Sequence, residues 1–382
     1  MTAPNTPPFD TQELLDEIRS WVIIESPTTD PAAVNRMIDK VEADARTAKT
    51  VIKRMPGRDG YGDHLMVSSP WGSEDEPGIL VLSHLDTVHA VGTLAGPLPF
   101  KIEGDIAFGP GIYDMKGGAL IAFAALRHLV ASARKPTLPI RHLFVSDEEV
   151  GSQTSRDIIE REAKRARYVL VTEPAREGGK IVTARKGTAR FDIKVTGRSA
   201  HSGSRHQDGR NAIRELARQI LTLEDMTDYA SGVTVNVGVI KGGTRANVVA
   251  EHASAEVDMR VPNPQIGDKA IAKVLALKAH DPDTVVEITG GLNRPGYEKS
   301  PQIEGLFLHA KELAAQIGFD LQDLKTGGGS DGNFTAAMGI PTLDGLGCPG
   351  AGAHAAHEHI LWRELAPRAA LISRLLETLD QD

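Results

Sequence analysis

Three short apolar runs in the first half of the chain constrain its fold more than any other feature. They cover residues 78–83, 140–146 and 168–172, and each has the length and composition of a buried strand. Stretches with helical patterning lie between them, at 118–132 and near 153–164. Strands that alternate with helices are typical of an α/β fold. We therefore predict an α/β domain built around a largely parallel sheet.

The pattern changes near residue 186. From there, stretches that alternate apolar and polar side chains, as half-exposed strands do, are mixed with helical ones. The predicted order is β-α-β-β-α-β, a split βαβ sandwich, and helical patterning of the first kind returns after Asn293-Arg294-Pro295. We therefore predict a main domain of residues 1–185 and 295–382 with an inserted α+β domain, 186–294. The six predicted elements of the insert are 188–196, 209–225, 232–240, 248–261, 266–280 and 283–289.

The length of the chain agrees with two domains, and its charge and cysteine content limit the classes of binding partner and of cellular location. The 382 residues are too many for one compact core. A net charge of −8 argues against nucleic acid or an anionic membrane surface as the main partner. The single cysteine, Cys348, allows no intrachain disulfide, and no stretch approaches the ~20 apolar residues that span a bilayer. Because the first residues do not resemble a signal peptide either, we expect a cytoplasmic protein.

Side chains that can bind a metal follow each of the three apolar runs. Ligands gather at the carboxyl ends of strands in an open α/β sheet, so these side chains should meet at one edge. Converging carboxylates repel one another unless a cation neutralises them. Oxygen and imidazole ligands without a thiolate suit zinc, cobalt or manganese. The residues are His84 and Asp86 after the first run, Asp147, Glu148 and Glu149 after the second, Glu173 after the third, and Asp114 at the start of a helix.

Two of these groups suggest a division of roles. A metal-bound imidazole usually donates its second N–H to a carboxylate or carbonyl, and Asp86 is placed to orient His84 in this way. Adjacent side chains on extended backbone diverge, so one of Glu148 and Glu149 can bind metal while the other faces a substrate water.

Several motifs, in order along the chain, resemble those of a known enzyme family. Residues 12–375 resemble the zinc exopeptidases and deacylases that include bacterial glutamate carboxypeptidase, acetylornithine deacetylase, succinyl-diaminopimelate desuccinylase and aminoacylase, with the glutamate carboxypeptidase branch the most similar. The resemblance implies a zinc-exopeptidase catalytic domain with a central mixed, largely parallel sheet, and an inserted lid domain that also forms a homodimer. The motifs are S-H-L-D-T-V, G-P-G-I-Y-D-M-K-G-G, S-D-E-E-V-G-S, T-E-P, G-R-S-A-H-S-G with D-G-R-N-A-I, G-G-T-R-A-N-V-V with D-M-R, and G-G-G-S-D-G-N.

The resemblance also implies a centre of two divalent metal ions, zinc first and cobalt or manganese as alternatives. Asp114 would bridge the two ions, and the peptide bond that follows it would be cis. Glu148 would be the general base, which takes a proton from water. The other ligands would be His84 and Glu173 on one ion, and Glu149 with a C-terminal histidine on the other.

The identity of the C-terminal histidine is open between two positions in A-H-A-A-H-E-H. Members of the family place this ligand four or five residues before a glutamate, which here is Glu358. His354 fits that spacing and is the favoured ligand, while His357, adjacent to the glutamate, is the alternative. We interpret His359 as a surface residue.

Residues of the inserted domain match positions that the family uses for substrate. His201 would stabilise the developing oxyanion from the partner subunit, although a histidine in a Ser/Gly-rich loop is by itself more typical of an exposed loop. Asn247 and Arg260 match substrate-binding positions of the lid. The residues alone leave two alternatives open: Asn247 in a turn and Arg260 in a surface ion pair.

The substrate carboxylate has candidate partners where the chain returns to the main domain. Arg294 matches an arginine that grips the α-carboxylate in the glutamate carboxypeptidase branch, which a planar guanidinium can do bidentately. The run Gly327–Gly329 lacks the G-K-S/T ending of a phosphate-binding loop. We therefore expect Gly328 and Gly329 to line the carboxylate end of the substrate.

The function predicted from these observations is hydrolysis of an amide bond next to a free carboxylate. A carboxypeptidase that releases a C-terminal, glutamate-like amino acid from an acyl or peptidyl group is the first hypothesis, and an N-acyl-amino-acid deacylase is the alternative. A non-catalytic metal-binding receptor or scaffold is a remote third, because such a protein has no use for an unliganded base at Glu148. A dinucleotide oxidoreductase is disfavoured because no predicted strand leads into a G-x-G-x-x-G turn.

Overall fold

The chain contains both helices and strands. The computed structural model describes residues 8–73, 75–132 and 135–380. Within that part, no helix has both the length and the apolar character needed to cross a bilayer. The helices are α1 (Thr11–Val22), α2 (Pro31–Thr47), α3 (Gly117–Ala131), α4 (Arg156–Ala163), α5 (Ala212–Glu224), α6 (Pro264–Leu275), α7 (Pro301–Ile317), α8 (Gly332–Ala337) and α9 (Leu365–Thr378). The strands are β1 (Val51–Met55), β2 (His64–Ser68), β3 (Gly78–His84), β4 (Lys101–Glu103), β5 (Ile106–Phe108), β6 (Ile140–Val145), β7 (Ala166–Val171), β8 (Ile181–Arg185), β9 (Gly187–Thr196), β10 (Thr234–Gly242), β11 (His252–Val261), β12 (Val285–Arg294), β13 (Asp323–Thr326), β14 (Thr342–Leu343), β15 (Gly350–Ala351) and β16 (His359–Leu361).

The chain forms two compact units. The larger unit comprises the chain up to Thr183, Lys299–Lys325 and the chain from Ser330 onwards. The smaller unit comprises Ala184–Glu298 together with a short separate segment, Thr326–Gly329. The glycine run is therefore grouped with the smaller unit although more than twenty residues separate the two segments in sequence.

The larger unit is built on a six-stranded sheet in the order β1-β2-β6-β3-β7-β14. β3 pairs in parallel with both β6 and β7, and β14 is parallel to β7. β2 is antiparallel to both of its neighbours, β1 and β6. β3 and β6 are buried at every position, as expected for strands covered on both faces. The predicted central sheet, mixed and largely parallel, is confirmed.

The smaller unit contains a four-stranded antiparallel sheet in the order β10-β11-β9-β12. The chain order β9-α5-β10-β11-α6-β12 is the predicted β-α-β-β-α-β. Alternate residues of β9 are buried in a core that includes Phe191, Leu216 and Met259. The prediction of a strand from residue 248 was wrong at its start. The N–H of Val249 donates to Ala200 and the C=O of Ala250 accepts from Ala212, so the chain pairs elsewhere until β11 begins at His252.

Candidate metal centre

The parallel strands of the larger unit bring the predicted ligands to one edge of the sheet. β3 ends at His84, which is in register with Val145 at the end of β6. A short 3-10 turn, Glu148–Val150, follows β6, and Glu173 follows β7 by two residues. Because the strands run in the same direction, their carboxyl ends deliver these side chains to a common region.

His84 presents one ring nitrogen to the carboxylates. Its side chain is buried, and its Nδ1 lies 2.9 Å from the main-chain carbonyl of Asp86. A carbonyl only accepts, so Nδ1 carries the proton and Nε2 is left facing Asp114 Oδ1 at 3.2 Å and Glu173 Oε1 at 3.8 Å. Burial lowers the pKa of His84, but hydrogen bonds with Asp114 and Asp86 outweigh it and raise that pKa well above the ordinary value. The surroundings of His84 Nε2 therefore favour positive charge, either from a proton on the ring or from a bound metal ion.

Asp114 sits in an irregular turn, Ile112–Lys116, that leads into α3. The Asp114–Met115 peptide bond is cis, which confirms that prediction. The turn is entered through Gly111, whose φ is 71° and where a Cβ would lie 2.4 Å from Thr87, so only glycine fits. The two carboxylate oxygens of Asp114 face different histidines: Oδ1 faces His84 and Oδ2 lies 3.4 Å from His354 Nε2. This is the arrangement expected of a ligand that bridges two ions.

Glu149 and His354 form the other side of the cluster. Glu149 Oε2 lies 3.1 Å from His354 Nε2. Burial raises the pKa of Glu149 to about 7, while hydrogen bonds with Asp114 and Glu149 raise the pKa of His354 to about 10. Oε1 of Glu149 is buried and has no hydrogen-bond partner among the described residues. A buried oxygen of this kind, in a cluster rich in carboxylates, fits a metal ligand.

Two overlapping groups of side chains are close enough to hold metal ions. In each, one ligand atom per residue lies within 4.8 Å of the others. All of these atoms are carboxylate oxygens or imidazole nitrogens, the donor set that suits zinc, cobalt or manganese. The residues present therefore fit a pair of divalent ions. The groups are His84, Glu148 and Glu173, and His84, Asp114 and Glu149.

His354 rather than His357 reaches the carboxylates. His354 has a left-handed backbone conformation, with φ 65°. His357 lies over Gly352, where an added Cβ would be 2.9 Å from its ring. The carbonyl of His357 accepts a 2.8 Å hydrogen bond from His359, which is half-buried in β16 and has its ring 5.3 Å from that of Phe108. The interpretation of His359 as a surface residue was therefore too simple.

Asp86 is fully buried and connects three segments around the cluster. Its carboxylate accepts hydrogen bonds from the hydroxyl of Thr28 at 2.7 Å and from the N–H groups of Glu148 and Glu149, both at 3.2 Å. Oδ1 is 3.6 Å from His84 Nδ1, so the main-chain carbonyl of Asp86 makes the shorter contact with that ring. Asp86 thus ties His84 to the segment that carries Glu148.

Glu358 lies beside the cluster, and the sequence revealed it only as a spacing marker. It is fully buried, and its carboxylate accepts hydrogen bonds from the N–H groups of Gly111, Tyr113 and Asp114 at 3.1, 2.9 and 3.0 Å. His89 Nε2 lies 2.5 Å from the carboxylate oxygen that accepts from Gly111. Glu358 therefore holds the turn that aims Asp114. Its fixed distance from His354 was the only signal of this role in the sequence.

The remaining predicted site residues lie in the smaller unit. His201 is exposed, and its Nδ1 accepts hydrogen bonds from the N–H groups of Gly203 and Ser204 at 3.1 and 3.3 Å. The carbonyl of Asn247 accepts from Ser202 at 3.1 Å, so Asn247 adjoins the His201 loop. Arg260 forms an ion pair with Asp258 at 2.7 Å, the alternative that the sequence left open.

Arg294 and the glycine run come together in the same unit. Arg294 is 5% exposed, and one of its terminal nitrogens donates to Asn293 at 3.1 Å. Gly329 lies so close that an added Cβ would be 3.0 Å from Arg294 Cδ. The carbonyls of Gly328 and Gly329 accept hydrogen bonds from Arg185, at 3.1 and 3.3 Å.

The fold and the cluster together define a metal-dependent hydrolase. Residues 80–378 match the family described as "Peptidase family M20/M25/M40", and the chain belongs to that family. It is 33% identical over 284 residues to carboxypeptidase G2 of Pseudomonas sp. strain RS-16, an alignment that covers 72% of this chain and 67% of the relative. It is 32% identical over 250 residues to a probable carboxypeptidase of Trichophyton verrucosum, covering 59% of this chain but only 52% of the fungal protein.

The fold is also similar to that of a solved aminopeptidase structure. The crystal structure of aminopeptidase PepT from Bacillus cereus superposes with a TM-score of 0.77 and covers 97% of this chain and 99% of that one. At 23% identity, this similarity concerns the fold alone.

Proposed function

We propose that the protein is a di-metal carboxypeptidase that releases a C-terminal, glutamate-like amino acid from an acyl or peptidyl group. The observation that carries the proposal is the placement of Asp114 in the carboxylate cluster, where its two oxygens face two different histidines, His84 and His354. The similarity to carboxypeptidase G2 supports the choice of reaction. A homodimer formed through the smaller unit and a cytoplasmic location stay predictions.

The proposed metal ligands divide between two ions, with zinc the first candidate. Bound there, such ions would supply Lewis-acid chemistry, which polarises a carbonyl and lowers the pKa of water. Asp114 would contribute one oxygen to each ion. His84 and Glu173 would complete one site, and Glu149 and His354 the other.

Glu148 is the proposed general base. The side chain of the neighbouring Glu149 turns toward His354. The carboxylate of Asp86 accepts hydrogen bonds from the N–H groups of Glu148 and Glu149. In this role the Glu148 carboxylate takes a proton from the attacking water and later gives it to the leaving amine. Asp86 assists indirectly, because it orients both His84 and the segment that carries the base.

His201 is the proposed hydrogen-bond donor to the developing oxyanion, acting on the site of the partner subunit. Its Nδ1 accepts two main-chain N–H groups, so the proton of the neutral ring lies on Nε2. The exposed Nε2–H is then a donor whose tautomer is already selected, which suits the stabilisation of negative charge. Asn247, which adjoins the same loop, is proposed to bind substrate beside it, and Arg260 to do so by leaving its ion pair with Asp258.

The substrate carboxylate is assigned to Arg294, with Gly328 and Gly329 alongside. A guanidinium can hold a carboxylate through two parallel hydrogen bonds, which selects for substrates that carry one next to the scissile bond. The proximity of Arg294 to Gly329 supports a shared role. This pairing favours substrates with a free α-carboxylate over neutral amides.

A hydrolysis screen tests the proposed function. The zinc-loaded protein would be offered N-acyl amino acids, dipeptides and folate-like conjugates that end in glutamate, and released amino acid would be measured by chromatography. We expect the fastest turnover with an acyl or peptidyl group on glutamate. Preference for simple N-acyl amino acids with other side chains would favour the deacylase instead. Two bound metal ions with no hydrolysis of any compound would refute both and favour a receptor.

A further inference from the structure

We infer that Arg185 is a positioning residue that prepares the smaller unit to bind the substrate carboxylate. The inference rests on the proposed function and adds to it a residue that does not itself touch substrate. It concerns the contacts of one buried arginine with the glycine run, and all of these contacts lie within the smaller unit.

Backbone hydrogen bonds to neighbouring segments fix the position of Arg185. Its side chain is fully buried, and its N–H and C=O pair with Tyr297 at 3.1 and 3.0 Å, three residues after Arg294. The next residue, Lys186, donates its N–H to the carbonyl of Thr326 at 3.0 Å. The end of β8 is therefore anchored both to the segment after Arg294 and to the start of the glycine run.

The guanidinium of Arg185 sets the orientation of two peptide groups. One terminal nitrogen donates to the carbonyls of both Gly328 and Gly329. In a planar trans peptide the C=O and the following N–H point in opposite directions. With the Gly328 carbonyl turned toward Arg185, the N–H of Gly329 must point away from it. That N–H has no hydrogen-bond partner among the residues that the structure describes.

The result is a pair of donors suited to a carboxylate. A Cβ at Gly329 would lie 3.0 Å from Cδ and 3.9 Å from Nε of Arg294, so the Gly329 backbone lies beside the Arg294 guanidinium. Main-chain N–H groups beside a guanidinium are a common way for proteins to capture a carboxylate. A side chain at position 329 would press on Arg294 at 3.0 Å and Thr188 at 3.2 Å, which is consistent with glycine there.

Steady-state kinetics with matched substrates test the inference. The substrates are an N-acyl amino acid with a free carboxylate and its neutral carboxamide. The variant is Arg185→Met, and the control is Arg190→Met, which removes an exposed arginine of the same unit. Loss of one well-placed donor to a charged group should raise KM for the acid at least about tenfold with kcat nearly unchanged. Turnover of the carboxamide should stay near that of wild type, as should both substrates with the control.

A second variant removes the N–H of Gly329 and keeps the Arg185 side chain. Glycolic acid in place of Gly329, introduced by in vitro translation, replaces that amide with an ester. It should raise KM for the acid selectively, even if Arg185→Met fails to fold. An unchanged ratio of acid to carboxamide kcat/KM in the folded variants would overturn the role of Arg185. A wild-type enzyme that does not distinguish acid from carboxamide would overturn the proposed function itself, and the inference with it.

Discussion

Replacing Glu358 with glutamine should destabilise the larger unit and weaken its hold on metal. Oε1 of Glu358 accepts the N–H groups of Tyr113 and Asp114, and Oε2 accepts that of Gly111 and lies 2.5 Å from His89. A glutamine side chain has one oxygen. Its NH2 group must therefore face at least one of these N–H donors, whichever way the amide is turned.

The expected loss follows from the number of hydrogen bonds. Each hydrogen bond to a buried charged group contributes about 1.5–3 kcal/mol, so losing one or two should lower the free energy of unfolding by roughly 2–5 kcal/mol. The change in charge acts in the opposite direction in the metal-free protein, because it removes one negative charge from a cluster of carboxylates. A net loss of stability would therefore identify the hydrogen bonds as the cause.

Tryptophan fluorescence during urea unfolding measures this loss. Trp21, Trp71 and Trp362 all belong to the larger unit, so the signal reports that unit alone. The control is Glu103→Gln, which removes an exposed carboxylate from the same unit. Metal affinity would be measured in parallel by competition with a chelator. If Glu358→Gln matched wild type within about 0.5 kcal/mol and bound metal equally well, Glu358 would not be what holds the Asp114 turn.

Three further predictions test other groups. Glu148→Gln should keep both metal ions and lower kcat by at least about 10²; loss of metal as well would mean that Glu148 is a ligand. His201→Ala and Glu148→Ala should each be nearly inactive, yet co-expression should restore roughly a quarter of wild-type activity if His201 acts on the partner's site, and none if it acts on its own. Burial lowers the pKa of His142 to about 3. As the pH falls, the unfolded chain therefore binds a proton at His142 before the folded chain does. Stability should then fall as pH drops from about 6.5 toward 3, by up to about 1.4 kcal/mol per pH unit. His142→Gln should show a shallower slope in urea titrations at several pH values, and an identical slope would contradict the assignment.

The sequence by itself determined the architecture and the chemical character of the centre. The runs that became β3, β6 and β7 are rich in apolar residues because most of their positions are buried, and that property is local. Because the carboxyl ends of parallel strands lie at one edge of the sheet, the sequence alone predicts that His84, the Glu148–Glu149 pair and Glu173 meet there. Where the strand prediction failed, at residue 248, pairing with a distant loop had overridden the local alternation.

Only the tertiary structure decided which of several similar residues reaches the carboxylate cluster, and which contacts hold that cluster in place. His354 and His357 lie in one short segment and differ little in local sequence, but the left-handed backbone at His354 turns its ring toward Asp114 and Glu149. Glu358 contacts a turn more than 240 residues away, and Arg185 contacts a glycine run more than 140 residues away. Such contacts leave no periodicity in the sequence, because they depend on chain segments that meet only after the sheets have formed.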